Sequence, residues 1–176
     1  RGLGDVYKRQ FIHRSAHQID NFEHLGVDVK VNNKTYAVNA LYRPPSETAD
    51  SHTLFLDSAQ TLLSKLNTYN CFNRIIMSDL NFGSCFSKFP ILIHKPLDST
   101  APELFESYNM TQIIDIPSRV THDTTSLIDL CFVSSVDHIT AHGTLPGVAD
   151  HEGIFVCFKN NLSLIHISEP TRHSSI

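Results

Sequence analysis

The chain has no apolar run approaching the ~20 residues that cross a bilayer, no Cys-x-x-Cys pair, no internal repeat and no low-complexity tract. Without such a run, no membrane partner is expected. The missing Cys-x-x-Cys removes zinc-site spacing. Cys71, Cys85, Cys131 and Cys157 stand singly among apolar or aromatic neighbours, and they are expected to be reduced thiols of an intracellular protein. What remains, 176 residues with 41% hydrophobic content, suits one soluble domain.

The two ends do not read as protein. Arg1 to Gln10 can be written with the codons CGT GGG CTC GGA GAT GTG TAT AAG AGA CAG. The reverse complement of that string encodes Leu162 to Thr171, residue for residue. Inverted copies of one DNA string at both ends resemble transposase-type sequencing adapters translated in frame. Residues 1–10 and 162–176 are therefore set aside, and residues 11–161 are read as the domain.

Basic excess is lacking too. Setting aside Arg1, Lys8, Arg9 and Arg172 leaves ten Lys and Arg, and setting aside Asp5 and Glu169 leaves 16 Asp and Glu, so the core carries −6. A domain without a general basic surface must hold any polyanion through a local site, a metal ion or another part of the protein.

Within the core, Leu25, Val27, Val29 and Val31 alternate with polar residues, Asn32-Asn33 follow, and Thr35 to Tyr42 resumes a strand. That pattern predicts a β-hairpin. Arg43-Pro44-Pro45 then takes the chain out of the sheet. Phe55, Ala59, Leu62, Leu63 and Leu66 form one apolar stripe of a helix. Ser51 or Thr53 is its expected N-cap, Asp57 falls in its first turns, and it should fray near Asn67 to Asn70. The strand around Ile75–Met77 follows. Phe82 to Ser99 is a long connection holding Pro90 and Pro96. Thr100, Pro102 and Glu103 mark a second helix, with Leu104, Phe105 and Tyr108 on its buried side. Further strands are expected at Met110–Ile114, Leu127–Val133, Ile139–His142 and Ile154–Phe158.

The informative stretch is Arg74-Ile75-Ile76-Met77-Ser78-Asp79-Leu80-Asn81-Phe82. A buried strand ends in an acid, skips one residue and presents an amide, so Asp79 and Asn81 share a face. A carboxylate and a carboxamide there can take a proton from a water and hold that water in line with a phosphorus or carbonyl centre. The pair reads equally as a strand entering an Asx-rich turn. Four further residues join it. Tyr42 ends its strand. Asp129 lies in an apolar strand, where an acid needs a partner. Asp150-His151 precedes the last strand. All fall at strand ends, where α/β sites cluster.

In this order, Tyr42-Arg43-Pro44-Pro45, Ser78-Asp79-Leu80-Asn81-Phe82, Ser126-Leu127-Ile128-Asp129 and Ala149-Asp150-His151 resemble the endonuclease/exonuclease/phosphatase superfamily. Within it, the chain looks most like the apurinic-type endonuclease domain of non-LTR (LINE-like) retrotransposons. The resemblance implies a four-layer αββα sandwich of the DNase type with its N-terminal strands missing, and Mg²⁺-dependent (or Mn²⁺-dependent) phosphodiester cleavage. It implies that Asp79 activates the attacking water, Asn81 fixes water and phosphate, and Tyr42 and His151 donate to the phosphate. Asp129 would hold the His151 imidazole. Asp150, with Asp79 and Asn81, would lie at the metal.

The implied partners are target-site duplex DNA and a fused reverse transcriptase, and the implied place of action is the nucleus. The family usually has glycine, phenylalanine and serine where this chain has Ser78, Leu80 and Ala149. Its upstream asparagine and metal-binding glutamate have no counterpart: Asn21 and Glu23 precede the expected hairpin. The core alone is therefore expected to nick DNA poorly or not at all. The alternatives are a phosphatase or sphingomyelinase-like esterase of the same superfamily, and a non-catalytic retrotransposon remnant.

Overall fold

A computed structural model describes residues 10–19, 22–31, 33–45, 49–81, 100–122, 125–147 and 150–159. Strands β1 (Gln10–Ile19), β2 (Phe22–Val31) and β3 (Lys34–Tyr42) run antiparallel in sequence. The expected hairpin is β2–β3, turned at Asn33 with φ 61°, a left-handed conformation that asparagine tolerates. It begins earlier than its alternation predicts, at Phe22, so Glu23 lies inside the hairpin rather than before it. A further strand, β1, covers residues for which none was expected, and its first residue, Gln10, pairs with Lys30.

Helix α1 (Ala49–Thr68) buries the predicted stripe of Phe55, Ala59, Leu62 and Leu63. Its start corrects the expected cap: Ser51 and Thr53 lie inside the helix, and the first-turn acid is Asp50, not Asp57. The helix carries the chain back to β4 (Asn73–Asp79), which lies parallel to β3 as a helical crossover allows. Residues 82–99, the long connection, lie outside the described residues.

Helix α2 (Thr100–Ser107) follows, then β5 (Thr111–Gln112), β6 (Arg119–Val120), β7 (Thr125–Ser126), β8 (Asp129–Val133), β9 (Ile139–Leu145) and β10 (Gly153–Phe158). Strand β5 is shorter than the Met110–Ile114 pattern predicts. Strand β8 begins at Asp129, not at Leu127, so this acid stands at the start of the strand rather than inside it. The main sheet has the order β1-β2-β3-β4-β8-β5, with β9–β10 and β6–β7 as separate pairs.

Alternation along the strands gives the sheet two faces. Leu41, Ile76, Leu80, Leu130 and Phe132 face the helices. Phe22 meets Phe55 of α1 edge-on at 5.6 Å, and Phe105 of α2 stacks on Phe132 at 4.1 Å. Tyr36, Ile75, Cys131 and Val133 face the other way, where Tyr36 meets Phe158 of β10 at 5.5 Å. The architecture is an α/β sandwich of helices, main sheet and second sheet. No helix among the described residues covers the outer side of β9–β10.

The apolar side of β2 is less covered than its alternation predicts. Leu25, Val27, Val29 and Val31 are half-buried, because the two-stranded second sheet is smaller than the sheet it faces. The helix-facing side of β2 is the buried one and holds His24 and Asp28. Each has a partner, as buried polar groups require: His24 Nε2 lies 2.9 Å from Asn39 Oδ1, and the Tyr69 hydroxyl donates to Asp28. Cys71, Cys131 and Cys157 are free thiols, and burial pushes Cys131 up to about 12.

Candidate active site

Four strands end in one row. Glu23 pairs with Tyr42, Tyr42 with Asp79, and Asp79 with Asp129, so all four Cβ atoms leave the same face of the sheet. Two carboxylates side by side in a cross-strand pair repel each other, and the repulsion needs a compensating group. His151 supplies it: its Nδ1 lies 2.9 Å from Asp129 Oδ2. A carboxylate only accepts, so Nδ1–H is the donor, and Nε2 is left for another partner. Asp79, Asp129 and His151 offer one ligand atom each, all within 4.8 Å of one another.

Asp79 is held differently. Its Oδ1 is buried and has no hydrogen-bond partner among the described residues. Burial raises its carboxyl above 3.8, and Asp129 raises it further. His151 and the backbone and side-chain amides of Asn81 pull it back. Asn81 stands two residues on, at φ 51°, with Nδ2 donating to the Arg43 carbonyl at 2.9 Å. Tyr42 is 41% exposed beside Asp79, at the open side of the row. Asp150, expected at a metal, is not among the three ligand groups that lie together: its carboxylate accepts from Arg119 Nε at 2.7 Å, which holds it below the usual carboxylate range.

No family model matches the chain, and no curated protein matches it. Solved structures do. An endonuclease/exonuclease/phosphatase family protein of Leptotrichia buccalis superposes with TM-score 0.54 at 14% identity, covering 78% of this chain and 54% of that one. The chain has the endonuclease/exonuclease/phosphatase fold. The endonuclease domain of TRAS1, a telomere-specific non-LTR retrotransposon, shares this fold with TM-score 0.55 at 15% identity over 85% of this chain and 70% of that one. So does a mannosyl-6-phosphatase of Bacteroides thetaiotaomicron, with TM-score 0.61 at 13% identity over 86% and 68%. The chain thus spans about half to two thirds of these structures.

The endonuclease/exonuclease/phosphatase fold brings Tyr42, Asp79, Asn81, Asp129 and His151 to one end of the main sheet. It also employs a residue that sequence reading passed over. Ser118 is fully buried, and its Oγ accepts from the backbone N–H groups of Ile128 at 3.1 Å and Asp129 at 2.8 Å. Its carbonyl accepts from Glu152 N at 2.6 Å, directly after His151. One serine therefore ties both members of the Asp129–His151 pair. No spacing pattern marks it, because its partners lie 10, 11 and 34 positions away. Ser118→Ala strands one buried and one part-buried donor, and a buried donor left without its acceptor costs about 1–3 kcal/mol. Urea unfolding should show a stability loss of that order. A midpoint equal to the parent's would show that the hydroxyl is dispensable.

Proposed function

We propose that the chain is part of a metal-dependent endonuclease that nicks target DNA for a non-LTR retrotransposon. The observation that carries the reading is a buried carboxylate oxygen on Asp79 with no partner among the described residues, in a group with an aspartate-held histidine. Such an oxygen is costly unless a ligand satisfies it.

Asp79, with the amide oxygen of Asn81, would hold a Mg²⁺ or Mn²⁺ ion, and hard oxygen donors suit both. When bound, that ion stabilises negative charge building on the phosphate oxygens. The rest is done by this chain's own side chains. Asp79 accepts a proton from the attacking water, a task helped by its raised carboxyl. Asn81 orients that water. Asp129 fixes the His151 ring through Nδ1, and in the imidazolium form the Nε2–H donates to a phosphate oxygen in the transition state. Tyr42 donates its hydroxyl to the phosphate from the open side. Asp150, engaged by Arg119, is given no metal in this reading. Glu23 lies in the same row as Tyr42 and is given none either.

In this reading the domain works beside a reverse transcriptase on nuclear DNA. The likeness to the TRAS1 domain supports the choice of DNA. The likeness to a sugar phosphatase makes phosphate monoesters the reading to test against.

The test uses the intact natural protein that contains residues 11–161. Supercoiled plasmid should convert to open circle with Mg²⁺ and stay supercoiled with EDTA. Release of inorganic phosphate from a sugar or inositol phosphate, with plasmid left intact, would replace the endonuclease reading by a phosphatase one. Neither activity would leave a non-catalytic protein.

A further inference from the structure

Three consecutive residues of the site corner each hold a bond to one residue outside it. The backbone N–H of Arg43 donates to the Asp79 carbonyl at 2.9 Å. Its Nη1 donates to the Leu80 carbonyl at 3.3 Å, and its own carbonyl accepts from Asn81 Nδ2 at 2.9 Å. The guanidinium lies on the helix-facing side of the sheet, beneath the site row. Arg43 is 2% exposed, with Cζ 5.8 Å from the centre of the Phe55 ring.

We propose that Arg43 is a positioning residue that sets the backbone of the corner carrying Asp79 and Asn81, a role that rests on the endonuclease reading. The Leu80 carbonyl belongs to the peptide unit preceding Asn81, and the tilt of that unit is the φ of Asn81. At φ 51°, Asn81 is in the left-handed region, which costs most L residues free energy and is tolerated by asparagine. A donor on the Leu80 oxygen holds the plane in that tilt, while the Leu80 N–H is held by the Ile128 carbonyl at 3.1 Å. So held, Asn81 stays at the corner two residues from Asp79, with Nδ2 on the Arg43 carbonyl at 2.9 Å. Any residue could make the two backbone bonds. The Leu80 bond needs a donor on a long stem, and a planar guanidinium fits against the Phe55 ring while supplying one. Packing alone does not favour this choice, because a buried guanidinium is costly to desolvate and methionine would fill the space without that cost.

Arg43→Met should fold with the parent's circular dichroism, and the Asn81 ¹³Cα and ¹³Cβ shifts should leave their left-handed values. The nicking kcat of the intact protein should fall about ten- to a hundredfold with KM unchanged, the range seen when groups that orient active-site ligands are removed. In an Asn81→Ala background, Arg43→Met should cost much less further rate than in the parent, because the amide whose placement depends on the Leu80 bond is gone. Arg43→Lys, with the charge and fewer donors, should recover part of the rate, and it carries the same readouts should Arg43→Met not fold. Unchanged Asn81 shifts, or a full additional loss in the Asn81→Ala background, would overturn the proposal. The shifts need no turnover, so a parent that fails to nick overturns only the endonuclease reading and leaves Arg43 to be decided by the spectra.

Discussion

Asp79→Asn should cut the plasmid-nicking rate by about 10²–10⁴-fold, the usual worth of a general base, and should raise the stability of the fold at neutral pH. The two effects share one cause. The Asp79 carboxyl is raised above 3.8, first by burial and then by Asp129. The folded chain therefore holds this proton more tightly than the unfolded chain does. Stabilisation from the proton is fully present below the unfolded value of 3.8 and is lost as pH rises through the folded value. At neutral pH the charged carboxylate is a net cost, and asparagine removes it.

Thermal melts of parent and variant should diverge at pH 7 and converge as pH falls toward 3.8. Nicking by the parent should fade over the same acid range, because a protonated Asp79 cannot accept a proton. A variant that melts below the parent at pH 7 would contradict the burial argument. A variant that nicks at the parent's rate would remove Asp79 from the mechanism.

His151→Ala should lower the rate by about 10²–10³-fold, the scale for one donor to a developing oxyanion. The more discriminating result concerns Asp129. The 2.9 Å bond to Nδ1 makes the two residues one unit, and units lose activity non-additively. Asp129→Ala alone should be severely impaired. Adding Asp129→Ala to His151→Ala should cost little more, because the ring that Asp129 holds is already absent. Rates of the four proteins on supercoiled plasmid, measured at one pH and Mg²⁺ concentration, give the cycle. Fully additive losses would show that Asp129 acts on something other than His151. Asp129 also raises the Asp79 carboxyl, so the acid limb of the Asp129→Ala profile should lie at lower pH than the parent's.

The chain's local pattern was enough for a good share of this. The β2–β3 hairpin follows from a period of 2 and the α1 stripe from one of 3.6, and β4 shows as a short apolar run bounded by turn formers, all of which depend only on near neighbours and on which side meets the core. The site residues were legible for a related reason. Asp79 and Asn81 are polar groups at the end of an apolar run and Asp129 is an acid inside one, where packing does not ask for them, and His151 is marked by the order of the motifs.

Other features depend on contacts that no local pattern encodes. Strand β1 has no clear alternation, and it exists through its pairing with β2. The α1 start falls before Ser51 and Thr53, because several residues near a helix entry can cap and spacing does not choose among them. Glu23 comes into line with Tyr42 only through the β2–β3 register, and Asp129 comes beside Asp79 only through the antiparallel register of β4 and β8. The Asp150 carboxylate goes to Arg119, 31 positions away, instead of to the group its neighbour His151 joins. Ser118 and Arg43 act through hydrogen bonds that span 10 to 38 residues. Sequence distance carries no information about such bonds, because folding closes the loops between the partners, and the direction of each donor is set by the packed backbone around it.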